Sequence, residues 1–173
     1  MPKLLFALIL VLGAHELCGQ QLQLFITKPD AEEKKFLFGI VAKSQITGDA
    51  DFTWYEENAK YAKPNSAVVE AVKAAMNKVE LVLFVGTWCH DTHQLLPKYF
   101  KTLEAADFPE ERLTIFATDR DKATIANMHK VFRVIDVPTM IVLQDGKEVG
   151  RIVEFGETGL VDKELGEIMK LIK

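Results

Sequence analysis

At 173 residues, the chain has the length of one ordinary domain with an added terminal segment, and it can bury a core without disulfides or metal. Its content of 49% hydrophobic and 27% charged residues is typical of a globular protein. The net charge of -4 is made of both signs, so there is no basic stripe for phosphate groups and nucleic acid is not expected as a partner.

The first residues have the layout of a secretory signal peptide. Lys3 precedes the unbroken apolar run LLFALILVLGA, and polar residues follow in HELCGQQ. A signal peptide combines a short positive region, an apolar core of about 7 to 15 residues and a small-residue cleavage site, whereas a membrane-spanning helix needs about 20 apolar residues. We therefore predict a signal peptide over residues 1–19, ending at Gly19, and no stable membrane insertion after its removal. A buried N-terminal helix is the alternative.

The predicted signal directs the mature protein to the periplasm or cell envelope, with secretion as an alternative. Cys18 also permits a lipoprotein interpretation, but the preceding HEL lacks the small residue normally found before an acylated cysteine. If Cys18 leaves with the signal, the mature chain keeps only Cys89 and no intramolecular disulfide can form. Such a cysteine is either a buried, inert thiol or a reactive one.

Residues 20–64 contain a polar stretch, TKPDAEEKK, and then the short apolar run FLFGIVA, which predicts a strand. The following DADFTWYEENAKYA predicts a helix or loop packed onto something larger through its aromatic residues, Phe52, Trp54, Tyr55 and Tyr61. Pro64 and Asn65 end this stretch. Ser66 is predicted to cap a helix whose apolar positions are Val68, Val69, Val72 and Met76.

The remainder of the chain alternates between strands and helices. VELVLFVG and RLTIFATD predict strands buried on both faces, because their apolar runs are continuous. Helices are predicted from about residue 89 to 106, with a kink at Pro97, in DKATIANMHKVF and in the amphipathic GLVDKELGEIMKLI. TMIVLQ and KEVGRIVEF predict a hairpin joined by Asp145-Gly146. This order favours an α/β domain, with helices on both faces of a mixed sheet.

Two landmarks in this order carry a family resemblance. Trp88-Cys89 follows a buried strand and opens a helix that contains a proline, and Val137-Pro138-Thr139 leads into a strand, Asp-Gly, strand hairpin. Over residues 65–173 the chain therefore resembles the thioredoxin family, and residues 20–64 form a predicted N-terminal extension packed on that domain. The resemblance implies a thioredoxin-like fold and a cis Val137-Pro138 peptide bond beside Cys89.

The position of Cys89 at the first turn of a helix favours its thiolate, since unpaired N–H groups and the positive end of the helix dipole lie there. His90 and His93 would act in the same direction when protonated, and Asp91 opposes them. The sequence therefore makes Cys89 the candidate nucleophile, with an inert structural thiol as the alternative.

The resemblance breaks at the second cysteine of the family motif, because CHDT places Thr92 there. The strand position at which the family usually buries an acid is Leu83. We therefore expect monothiol exchange, as in monothiol glutaredoxin-like proteins, with an external thiol completing the reaction. The candidate catalytic residues are Cys89, Thr92 and Pro138, supported by Trp88, His90, Asp91, His93 and Val137. The expected partner is an oxidised or thiol-containing protein, or a small-molecule thiol, and no cofactor is predicted.

Three further interpretations stay open from the sequence. Cys-x-x-Thr also resembles the active turn of glutathione peroxidases, although no tryptophan follows Trp88 for that family's later Trp-Asn pair. Cys89, His90 and His93 could bind copper or zinc if a further ligand came from His129 or Asp119. A thioredoxin-fold binding protein without turnover is the third interpretation.

Overall fold

The computed structural model describes residues 24–29 and 34–173. The predicted signal peptide and Cys18 lie outside the described residues. In the described ranges no helix is both long and apolar enough to cross a membrane.

The N-terminal part of the described chain begins with strands β1 (Phe25–Pro29) and β2 (Lys35–Val41), followed by helices α1 (Lys43–Thr47), α2 (Trp54–Ala59) and α3 (Ser66–Ala75). Strand β3 (Val79–Val85) leads into the long helix α4 (His90–Ala105), which continues past Pro97, and β4 (Leu113–Ala117) follows. The chain then forms α5 (Met128–Val131), β5 (Thr139–Gln144), β6 (Lys147–Val153) and α6 (Val161–Met169). Short 3-10 turns cover Glu110–Arg112 and Ile125–Asn127.

The six strands form one sheet in the order β1-β2-β4-β3-β5-β6. β3 and β4 are parallel, and every other neighbouring pair is antiparallel. The mixed, layered α/β architecture predicted from the sequence is therefore confirmed. β5 and β6 are joined by Asp145 and Gly146, whose φ angles of 50° and 71° are those of a type I′ hairpin turn.

The central strand β3 is buried on both faces, as its apolar run predicts. Leu81, Leu83 and Val85 belong to the larger core cluster, which includes residues of α3, α4 and α6. Val82 and Phe84 point to a smaller cluster on the other face, because side chains alternate along a strand. This packing fixes the end of β3, from which the turn carrying Cys89 departs.

The segment before residue 65 is built into the same core. β1 and β2 extend the sheet, and Ile46, Phe52 and Tyr55 belong to the cluster that contains Leu95 of α4. The sequence did not predict β1, because its polar and proline residues do not form an apolar run. The division of the chain at residues 64 and 65 stays a prediction.

Two expectations for this segment were wrong. Tyr61 is 82% exposed and does not pack inward with the other aromatic residues. Asn65, not Ser66, is the N-cap of α3, because its side chain accepts hydrogen bonds from the N–H groups of Ala67 and Val68 at 3.0 and 3.4 Å. An asparagine acceptor at this position satisfies two helix N–H groups that otherwise lack partners.

The helix predicted over DKATIANMHKVF was also wrong, since only the four residues of α5 are α-helical there. Lys122, Ala126 and Asn127 have φ angles between 53° and 60°, which interrupt a right-handed helix. The Asp119 carboxylate accepts hydrogen bonds from two backbone N–H groups of the loop. Such side-chain bonds hold the backbone in a turn that competes with helix formation.

Candidate active site

The candidate site is the turn between β3 and α4, residues 86–89. Cys89 is the N-cap of α4, with extended φ and ψ angles of -91° and 127°. Its N–H donates to Gly86 O at 2.8 Å, and its carbonyl accepts from the N–H of His93 at 3.0 Å. A Cβ atom at Gly86 would lie only 2.8 Å from the Trp88 ring, so the turn closes tightly. The half-buried Cys89 thus stands at the N-terminus of α4, where the first N–H groups of the helix point out of its end.

The thiol of Cys89 lies against the loop that precedes β5. Its Sγ donates to the carbonyl of Val137 at 3.4 Å. The Val137-Pro138 peptide bond is cis, and the carbonyl of Pro138 accepts a hydrogen bond from the N–H of Glu154 at 2.7 Å. The structure therefore brings Cys89 and Val137-Pro138 together from positions far apart in the sequence, as the resemblance implies.

Trp88 is fixed beside the thiol by its indole group. The indole Nε1–H donates to the carbonyl of Thr118 at 2.9 Å, at the end of β4. The guanidinium carbon of Arg120 lies 5.4 Å from the centre of the Trp88 ring, within range of a cation–π interaction. The Trp-Cys turn is therefore held on one side by the loop that follows β4.

Thr92 occupies the second position of the motif but does not present a reactive group at the surface. Its side chain is fully buried, and its hydroxyl oxygen accepts a hydrogen bond from the N–H of Gly86 at 3.3 Å. Leu83 is also fully buried. At this position Thr92 closes the turn onto α4, which is a structural contact, and a hydroxyl cannot resolve a mixed disulfide.

His93 has a long-range role that the motif does not reveal. Its Nε2–H donates to the carbonyl of Thr87 at 2.8 Å, and its ring stacks on Trp54 of α2 at 4.2 Å with an interplanar angle of 14°. Burial lowers the pKa of His93, the hydrogen bond to Thr87 opposes this change, and the charge of His90 adds to it. His93 is consequently neutral near pH 7, and its ring serves to join α4 to the turn and to α2.

His90 and Asp91 lie at the open end of α4. His90 is exposed, and its Nε2 accepts a hydrogen bond from the side-chain amide of Gln94 at 2.7 Å. Asp91 is half-buried in the first turn. The ring nitrogens of His90 and His93 are therefore used in separate contacts, with the Gln94 amide and with the carbonyl of Thr87.

The potential metal ligands are separated as well. The ring Nδ1 of His129 accepts a hydrogen bond from the N–H of Thr124 at 3.2 Å, and the carboxylate of Asp119 is used within its own loop. Among residues 24–29 and 34–173, no group of three His, Cys, Asp or Glu side chains could hold a metal ion.

Sequence reasoning missed the positive charge of Lys122 near the thiol. Lys122 forms an ion pair with Asp136, the residue before Val137. The hydrogen bond to Asp136 raises the pKa of Lys122, burial opposes the rise, and the negative charges of Asp136, Glu154 and Cys89 add to it. No motif marks this lysine, since it reaches the site only through the left-handed turn after β4.

Comparison with known proteins agrees with this arrangement. A family model described as Thioredoxin matches residues 61–165, which is more than half of the chain. The chain therefore belongs to the thioredoxin family of thiol redox proteins. The matched range includes Cys89 and Thr92, and the assignment of these two residues to the two cysteine positions of the family motif stays a prediction from the sequence.

Individual relatives support the same assignment. Thioredoxin from Echinococcus granulosus is 30% identical over 93 residues, which cover 53% of this chain and 81% of that protein. The bifunctional thioredoxin reductase/thioredoxin of Mycobacterium leprae is 32% identical over 121 residues, 64% of this chain but only 25% of that protein. The chain thus spans about a quarter of this second, longer relative.

One solved structure supports the fold over a larger part of the chain. It is a protein of unknown function from Pseudomonas aeruginosa, which matches with a TM-score of 0.52 over 75% of this chain and 90% of that one. At 14% identity, this likeness concerns the fold alone.

Proposed function

We propose that the protein carries out monothiol disulfide exchange through Cys89. The observation that carries the proposal is the half-buried Cys89 thiol at the N-terminus of α4, against the carbonyl of Val137, together with the buried Thr92 in the second position. The Cys89 thiol can attack a disulfide. The Thr92 hydroxyl cannot then release the mixed disulfide that forms on Cys89.

The reaction balances in two exchanges. The Cys89 thiolate attacks one sulfur of a substrate disulfide, a new S–S bond forms with Cys89, and the other substrate sulfur leaves as a thiolate. An external thiol then attacks the mixed disulfide and restores the Cys89 thiolate, and its sulfur forms the new disulfide with the substrate. The external thiol is the net reductant, and the substrates are oxidised or thiol-containing proteins or small thiols.

The direct test is capture of the first intermediate in the full chain with Cys18→Ser, so that Cys89 is its single thiol. Reaction with 5,5′-dithiobis(2-nitrobenzoate) should give one stable adduct per chain by mass spectrometry, removed only by added thiol. Cys89→Ser should give no adduct. If Cys89 does not react with iodoacetamide near pH 7 in metal-free buffer, the proposal fails and a binding role without turnover becomes the better interpretation.

The same protein preparation also tests for peroxidase activity and for metal binding. A thiol peroxidase would consume hydrogen peroxide in the presence of a thiol reductant, with loss of the activity in Cys89→Ser. A copper or zinc protein would bind the metal tightly and protect Cys89 from alkylation. Neither outcome is expected from monothiol exchange alone.

We propose in addition that the protein is exported to the periplasm or cell envelope, because Lys3 and the apolar run after it have the layout of a cleaved signal. N-terminal sequencing of the native protein should then begin between residues 20 and 22. A native protein that begins at Met1 or Pro2 would contradict the export proposal.

A further inference from the structure

A groove of about 400 Å³ lies between α2 and α4, beside the candidate site. The α2 side, including the residues just after the helix, contributes Trp54, Glu57 and Tyr61, and α4 contributes His90, Gln94 and Lys98. A volume of this size falls in the range of clefts that bind ligands.

The packing of α2 onto α4 gives the groove a firm base. The Trp54 ring is stacked on His93 at 4.2 Å, and the buried Tyr55 packs near Phe100, with ring centres 6.0 Å apart. Within α2, the side-chain amide of Asn58 donates to the carbonyl of Trp54 at 2.9 Å. The wall formed by α2 is therefore held in place by aromatic contacts and by this hydrogen bond.

This wall lies largely outside the part of the chain that the family model matches. Trp54 and Glu57 precede residue 61, where the match begins, and the opposite wall belongs to the helix that follows Cys89. The groove is thus formed where a segment outside the family match meets the helix that carries the nucleophile.

The dimensions of the groove favour an extended chain as its occupant. Along α4 it runs from His90 to Lys98, and at 1.5 Å per helical residue this distance is about 12 Å. An extended polypeptide covers that length with about four residues. The groove begins at the residue after Cys89, whereas the Sγ of Cys89 contacts the carbonyl of Val137, and neither Cys89 nor Val137 lines the groove. A ligand that fills the groove and also reaches the thiol is therefore longer than a small thiol.

The groups along the groove match those of a peptide. The Gln94 amide donates to His90, which leaves the carbonyl oxygen of its side chain as an acceptor for a peptide N–H. Tyr61, 82% exposed, offers a ring face for an apolar side chain. Glu57 and Lys98 place charges of opposite sign on the two walls, so a strongly charged ligand is not favoured.

We propose that this groove binds an extended segment of the polypeptide whose disulfide Cys89 attacks, with an aromatic or aliphatic side chain against Tyr61. The inference rests on the proposed function, because the segment is defined as the one next to the reacting disulfide. It makes α2 a substrate-recognition element added to the thioredoxin domain.

The test compares two probes on the full chain with Cys18→Ser. The first probe is a capped single cysteine whose sulfur forms a mixed disulfide with thionitrobenzoate. The second is a peptide with the same mixed disulfide on its cysteine and with a phenylalanine about four residues away on each side. The peptide should react about tenfold faster. Tyr61→Ser and Gln94→Ala should bring the ratio of the two rates close to one, and Tyr61→Phe should preserve it.

Leu171→Ser is the matched control, because Leu171 is also an exposed apolar residue, at 61%, and lies outside the groove; it should keep the wild-type ratio. Equal rates for the two probes on the wild type, or an unchanged ratio of rates in both Tyr61→Ser and Gln94→Ala, would overturn the proposal that the groove binds the substrate peptide. Either result would leave the proposed function intact. If neither probe reacts with Cys89, the proposed function fails and this inference fails with it.

Discussion

Thr92→Cys is the substitution that most directly tests the loss of the resolving group. In the wild type, release of a mixed disulfide on Cys89 should require an external thiol, because Thr92 has no sulfur. The substitution places a thiol three residues after Cys89, in the first turn of α4. We expect the variant to release the adduct by itself and to form an internal disulfide.

The geometry sets the size of the two effects. Cys89 is the N-cap, with extended φ and ψ angles, so the spacing between residues inside a helix does not apply to the pair 89 and 92; to form the disulfide, the two Cβ atoms have to come within about 3.5–4.5 Å. A tethered thiol acts at an effective concentration of about millimolar or more. The stability cost should be about 1 kcal/mol, since the hydroxyl that accepts from the buried N–H of Gly86 is replaced by sulfur, a weak acceptor.

The assay is the release of thionitrobenzoate at increasing concentrations of external thiol. Wild-type release should be proportional to that concentration, and release from Thr92→Cys should have a large component independent of it. Thr92→Val is the control, because it loses the same hydroxyl without gaining a thiol and should stay trapped. Spontaneous release from the wild type, or a strictly thiol-dependent release from Thr92→Cys, would show that the residue at position 92 does not determine how the mixed disulfide is resolved.

Two further predictions concern charges near the site. Burial holds the pKa of His93 in the folded protein below its ordinary value of 6.5. As pH falls, His93 is therefore protonated in the unfolded chain before it is protonated in the folded one. The contribution of the neutral ring to stability is present above about pH 6.5 and is lost as pH falls through the lowered pKa of the folded state. Urea unfolding at several pH values should show this loss in the wild type, and His93→Phe should lack that component; identical pH profiles would contradict it. Lys122→Met should slow alkylation of Cys89 by iodoacetamide near pH 7, by up to about fivefold, as expected for a partly exposed charge pair. Asp136→Asn should change the rate in the opposite direction, and a matching decrease in both variants would indicate a structural effect only.

The local features of the fold follow from short sequence patterns. The continuous apolar run of β3 predicts a strand buried on both faces, and Asp145-Gly146 predicts the hairpin because both residues adopt positive φ angles. The Trp88-Cys89 turn follows from its place between a strand and a helix. In each case the residues that determine the structure are neighbours in the chain.

Other features depend on contacts between distant segments. The stacking of His93 on Trp54 joins α4 to α2, and no local pattern marks the two rings as partners. The approach of Lys122 to the site results from a left-handed turn, with a φ angle of 60°, inside a stretch whose apolar spacing favours a helix. There the bonds made by the Asp119 side chain outweigh helical propensity, which is a weak preference.

The two departures from the family motif are physically consistent with each other. A carboxylate at the fully buried position of Leu83 would cost several kcal/mol unless it were paired or protonated. In the dithiol proteins that the chain resembles, such a buried acid takes part in the proton transfer of the second cysteine. A threonine hydroxyl does not act as a resolving nucleophile, so at Thr92 there is no thiol whose proton such an acid would have to take up. Under the monothiol reaction proposed above, a buried leucine at this position stabilises the core and removes no group that the reaction of Cys89 with an external thiol would need.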